Sequence, residues 1–209
     1  MTERRRWDTM EATKTGAFER LVAGPCPPGG ELLLALAAHF RPVDAGLASF
    51  RLDEMARSLF PVAEEGEPRD IAHAIATLLT DEHRFTTDDS SAEGLLLDSV
   101  LERHTGHPLV LSALAAEIGR RAGVAIGVCS TPTGWYAGIG ETDRLWLIDP
   151  TMDARPAPTG PVRRHCGHEL AFGALTGLYA RYVRDGADEP AQRAARLRGR
   201  LPVARHEAG

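Results

Sequence analysis

Ser112 and Cys129 are the candidate nucleophiles of this sequence, and His107 and His165 the candidate bases, for a site of acyl or amide chemistry. A hydroxyl or thiol attacks a carbonyl carbon only when a base or a local positive field removes its proton. Each candidate also has an ordinary role. Ser112 falls one turn into an apolar helix, where serine bonds back to a carbonyl. Cys129 falls in a short apolar run, where a free thiol packs as a small hydrophobe. His104 and His107 flank the start of the same helix and suit loop or cap positions. Asp149 precedes Pro150, a pairing that caps a turn. His165-Cys166-Gly167-His168 looks like a set of metal ligands, but adjacent residues chelate one ion poorly. No second Cys or His pair completes a tetrahedral shell, so neither a metal nor a cofactor is expected.

The elements that must position these residues are legible from apolar spacing. Residues 1–30 are polar and then rich in Pro and Gly, which predicts a disordered arm. Glu31–Phe40 is almost wholly apolar and predicts a buried helix. Phe50–Phe60 places Leu52, Met55, Ala56 and Leu59 at helical spacing, with Pro61 as its stop. A third helix is predicted over Asp70–Leu79, a polar loop over 86–91, and a fourth helix over Leu95–His104. Leu109–Arg121 is apolar nearly all round, with charge only at Glu117, Arg120 and Arg121, so it belongs in the middle of a core. Gly123 suits the position just past its end. Three short strands are predicted at Val124–Cys129, Trp135–Ile139 and Leu145–Ile148, the last holding a core-type Trp146. Helices over Leu170–Arg184 and Glu189–Leu201 form a closing hairpin. A central helix followed by antiparallel strands is an α+β arrangement.

Composition narrows the function classes. Hydrophobic residues make up 43% of the 209 and charged residues 25%, ordinary for a globular protein. The net charge of −5 argues against a general nucleic-acid binder. The basic cluster Arg193, Arg196, Arg198, Arg200 and Arg205 reads as a solvated helix face. No apolar run is long enough to span a bilayer, and the first residues lack the apolar stretch of a signal peptide. Three scattered cysteines, Cys26, Cys129 and Cys166, form no disulfide framework, so a cytoplasmic location is expected.

Several blocks, taken in order, resemble the transglutaminase-like branch of the papain-type fold. The run LLLDSVLERHTGHPLVLSALAAEIGRRAGVAIGV resembles the family's segment around its central helix. Leu145-Trp-Leu-Ile-Asp-Pro-Thr151 resembles its closing strand and triad aspartate. ELLLALAAHFRPVDAGLASFRLDEMARSL resembles the helical preface of one bacterial subfamily. LTGLYARYVRDGADEPAQRAARLRGRLP resembles the tetratricopeptide-like helices that follow it there. The resemblance covers roughly 31–203 and implies a preface plus core over 31–160, then a tetratricopeptide-like hairpin and tail over 161–209.

The resemblance also implies a triad: a Cys at the start of the central helix, a His on the next strands, and an Asp on the closing strand. Counting back from Gly123 puts the nucleophile position at Pro108. The family's Gly-His-aromatic stretch corresponds to Gly134-Trp135-Tyr136, so Trp135 stands where the base would be, and an indole N–H only donates. Asp149 alone remains. The related subfamily itself usually lacks the cysteine. The expectation is a degenerate site, Pro108, Trp135 and Asp149, in a pseudoenzyme that binds a protein, a peptide or a small amphipathic ligand. Trp135, Tyr136 and Asp149 would line the groove, and neither nucleic acid nor membrane is expected as a partner. The alternative is an acyl- or amide-transfer or hydrolase-type enzyme with a rebuilt site, using Ser112 or Cys129 with His107 or His165.

Overall fold

The structure is a computed structural model that describes residues 16–141 and 144–202. Arg205 and the first half of the expected arm lie outside the described residues. Residues 16–23 are not an arm. They form a helix, α1, and Phe18 is fully buried in the main core, because one large ring on an amphipathic turn is enough to dock it.

Three helices follow: α2 (Gly29–Ala37), α3 (Ala45–Glu65) and α4 (Pro68–Thr77). Asp44 caps α3 by accepting from the Leu47 N–H at 3.0 Å. Pro61 does not stop α3, which continues to Glu65. Proline there forfeits only one backbone bond, near the end of the helix on an exposed turn. Pro68 opens α4 at its first turn, where no N–H is needed. Leu78–Glu82 then widens into a π turn. The polar loop after it contributes β1 (Thr86–Thr87), which pairs in parallel with β2 (Thr105–Gly106). Between them lies α5 (Leu97–Arg103), capped by His104 in the left-handed region.

The central helix, α6, spans Pro108–Arg121 and buries ten of its residues. Gly123 follows it at φ +86°, the conformation glycine adopts most cheaply. The C-terminal half of α6 carries a deeply buried carboxylate cluster. Glu117, 2% exposed, accepts from Arg120 at 2.7 Å and from Arg121 at 2.8 Å. Arg121 continues to Asp53 and to the Ser49 carbonyl. A charge this deep persists only because it is paired and hydrogen-bonded.

The sheet has five strands in the order β6-β5-β4-β3-β7, all antiparallel neighbours. These are β3 (Ile126–Thr131), β4 (Gly134–Ile139), β5 (Trp146–Ile148), β6 (Ala154–Pro156) and β7 (Arg163–His165). Val128, Ala137, Ile139 and Ile148 face the helices and join one core cluster. Cys129, Tyr136, Leu145 and Leu147 face away and make a small second cluster. The last helices are α7 (Gly167–Arg184) and α8 (Asp188–Arg198), and α7 buries Leu170, Ala174, Leu175 and Leu178 in the main core. A boundary at 160 therefore cuts off β7, which is paired into the sheet. The architecture is α+β: helices on one face of a small antiparallel sheet.

Candidate functional site

Two contacts orient the site. Gly119, near the end of α6, lies against Ile126 at the start of β3. Ala113, earlier on α6, lines one cavity with Val128 and His165, so helix and strand run in opposite directions and the first turn of α6 lies toward the end of the sheet where β3 turns into β4. Trp135 is the second residue of β4, at that end. Ile148 pairs with Ala137, and one more step of that register brings Asp149 level with Tyr136. Trp135 and Asp149 thus lie toward one end of the sheet.

The first turn of α6 offers no nucleophile. Pro108 occupies it, and His107 caps it, with Nδ1 accepting from the Leu109 N–H at 3.1 Å. Burial holds the His107 imidazole below its ordinary value of 6.5, with the nearby Arg181 pushing the same way. Asp149 Oδ1 accepts from the Thr151 N–H at 3.1 Å and from the Thr151 hydroxyl at 3.0 Å, the geometry of a capped turn. His104 stacks on Phe85 and bonds the His83 carbonyl, a structural position.

Neither expected fallback nucleophile meets an imidazole. Ser112 is fully buried, and its Oγ has no hydrogen-bond partner among the described residues. Cys129 is fully buried on the outer face, where desolvation raises its thiol above the usual range. The expected groove of Trp135 with Tyr136 is also divided. Adjacent strand residues point to opposite faces. Trp135 packs toward the helices, while Tyr136 is buried in the outer cluster with its hydroxyl on Arg155 and Thr133.

What the structure does bring to the helix face is a group the sequence did not reveal. Ser130 pairs with Trp135 across β3 and β4, and Val128 pairs with His165 across β3 and β7. Ser130, Trp135 and His165 therefore point to the same side. Ser130 Oγ lies 2.7 Å from His165 Nε2, and the His165 ring lies against the Trp135 indole at 4.7 Å between centroids. His165 Nδ1 faces Glu169 Oε2 at 3.7 Å, within ion-pair reach. Glu169, on the first turn of α7, also accepts from the Cys166 N–H at 2.9 Å and pairs with Arg163. Burial depresses the His165 pKa; Glu169 opposes that and Arg163 adds to it. For Glu169, burial pushes upward, but the Cys166 N–H, Arg163 and His165 outweigh it and hold the carboxyl below its usual range. No sequence signal marked Ser130, because its partner is 35 residues away on a strand of three polar residues.

His168, also named as a possible ligand, is buried in α7, and neither ring nitrogen has a partner among the described residues. No group of three or more His, Cys, Asp or Glu side chains among the described residues is placed to hold a metal ion. No helix among them is long and apolar enough to cross a membrane.

Comparison with known proteins adds one finding. Neither the curated proteins nor the solved structures contain a match to the chain. A family model described as the transglutaminase-like superfamily matches residues 48–164, more than half of the sequence, spanning α3 to β7. With the central helix, the antiparallel strands and the closing Asp-Pro in the order that family requires, the chain belongs to the transglutaminase-like superfamily.

Proposed function

We propose that this chain is a transglutaminase-like binding module that no longer runs the family's cysteine chemistry. The first turn of α6 carries this reading. The dipole and open N–H groups of a helix start favour a thiolate, yet Pro108 stands there and His107 spends its ring nitrogen on the cap. The placement of Ser112 and Cys129 gives the acyl-transfer alternative no base at either residue.

The ligand is a protein segment, peptide or amphipathic molecule held at the end of the sheet by the half-buried Trp135. A partly buried indole suits such contacts. The α7–α8 pair, a tetratricopeptide-like hairpin in this reading, supplies a second helical surface beside it.

The test is a screen of the intact protein against an extended-peptide library, followed by Trp135→Ala. Loss of most of the affinity with an unchanged circular dichroism spectrum is expected. Wild-type affinity in that variant would remove Trp135 from the groove.

A further inference from the structure

The groove has a reactive pair of its own, one that the family triad does not include. We propose that Ser130 is a nucleophile, with His165 as its general base and Glu169 as a positioning residue, and that the site takes short-chain carboxylic esters. This goes beyond the binding role above, which needs Trp135 and no reaction.

Three observations converge. Ser130 Oγ and His165 Nε2 are 2.7 Å apart, the reach required of a nucleophile and its base. The third member is an electrostatic neighbour: Glu169 Oε2 lies 3.7 Å from Nδ1, too far for a hydrogen bond but close enough for its charge to favour a proton on that side of the ring. The Trp135 indole fixes the imidazole plane from the other side. His165 is held firmly, its side chain only 8% exposed, whereas Ser130 keeps partial access to solvent. Neither neighbour offers the same chemistry. Cys129 faces the other way, and Thr131 hydrogen-bonds Thr133 within the turn.

Space beside the imidazole suggests the acyl group. A cavity of about 260 Å³ includes His165 in its lining, with Ala113, Ala116, Val128 and Leu170 beside the paired Glu117 and Arg120. Sites for drug-sized ligands run from roughly 300 Å³ upward. The smaller, mostly apolar volume suits an acyl chain of a few carbons.

The chemistry balances without any further reagent. The Ser130 oxygen forms a bond to the ester carbonyl carbon as its proton passes to His165 Nε2, and the carbonyl pair moves onto oxygen. The pair returns, the bond to the alkoxy group breaks, and His165 delivers the proton to the departing alcohol. Water repeats the sequence on the acyl-serine: its proton goes to Nε2, the carbon–Oγ bond breaks, and the proton returns to Ser130. The net change is ester plus water to acid plus alcohol.

The experiment uses the full chain with p-nitrophenyl esters of two-, four- and eight-carbon acids, and with a fluorophosphonate. Adducts are located by intact mass and peptide mapping. One adduct per chain on Ser130 is expected, with turnover fastest for the shorter esters. Ser130→Ala abolishes both signals, and His165→Gln lowers the rate roughly a hundredfold, the ordinary worth of a general base. Because the His165 pKa is held below 6.5, the wild-type rate should be flat above that pH and fall on the acid side. Glu169→Gln should move this acid limb, which a purely structural role would leave in place. No adduct on the wild-type chain, an adduct at another residue, or undiminished labelling in His165→Gln would each overturn the proposal, leaving a bond that only ties β3 to β7. Mapping on wild-type protein decides the case even if a variant fails to fold. Peptide binding by the wild-type chain is read separately from adduct formation, so failure here is distinguishable from failure of the groove.

Discussion

The two faces of the five-stranded sheet are made by the same strands, yet they differ in what they can do. Toward the helices, Val128, Ala137, Ile139 and Ile148 merge into the main core, and the rim of that face carries Ser130, Trp135 and His165. On the outer face, Cys129, Tyr136, Leu145 and Leu147 form a satellite cluster. Ser130 and Cys129 are neighbours on β3, and the pleat alone sends one to an imidazole and the other into apolar surroundings. A nucleophile's competence here is a matter of face more than of residue type. Cys129 is the stronger nucleophile intrinsically, but burial keeps it a thiol.

The largest expected effect tests whether the faces differ in energy as they do in content. Leu114, fully buried on α6 within the main core, should cost about 3–5 kcal/mol when changed to Ala. Leu147→Ala, in the satellite cluster, should cost about 2 kcal/mol, because a thin cluster at an edge collapses more easily. Equal losses in chemical denaturation would erase the energetic side of the comparison.

A smaller effect should follow pH. Burial depresses the pKa of His165, and also those of His39, His83 and His107. An imidazole favoured neutral in the fold contributes stability that is present above its unfolded value of 6.5 and is lost as pH falls from there through the folded value. Melting temperature should therefore drop between about pH 7 and pH 5. In His165→Gln the drop should be shallower, and an unchanged slope would show that the helix-face imidazole is not coupled to folding.

The smallest effect concerns the outer face. Native Cys129 should react with iodoacetamide no faster than a model thiol, and should become reactive on unfolding. Rapid labelling well below pH 7 would show a thiolate on the face described as inert.

How far the fold could be read in advance depended on how strongly each segment is patterned. Leu109–Arg121 announces a central helix because no amphipathic alternative exists for so apolar a run, and α6 spans Pro108–Arg121. Three of the five strands of the sheet were legible through their apolar residues. β6 and β7 were not, since Ala154–Pro156 and Arg163–His165 are short edges held by backbone pairing. Pro61 misled because the cost of proline depends on where in the helix it falls, and Phe18 was overlooked within a polar stretch. Tyr136 was placed in the groove by sequence adjacency, which in a strand guarantees the opposite face.

The sequence by itself determined the central helix, its Gly123 terminus, the order of strands β3 to β5 and the residue types at Pro108, Trp135 and Asp149. Those features rest on local periodicity and on residue types that no packing can change, such as a proline that carries no nucleophile. Only the tertiary structure decided which hydroxyl meets an imidazole. Ser130 and His165 come together because β7 returns to pair with β3, with Val128 opposite His165. A contact across 35 residues depends on register and face, and neither is encoded in any one segment.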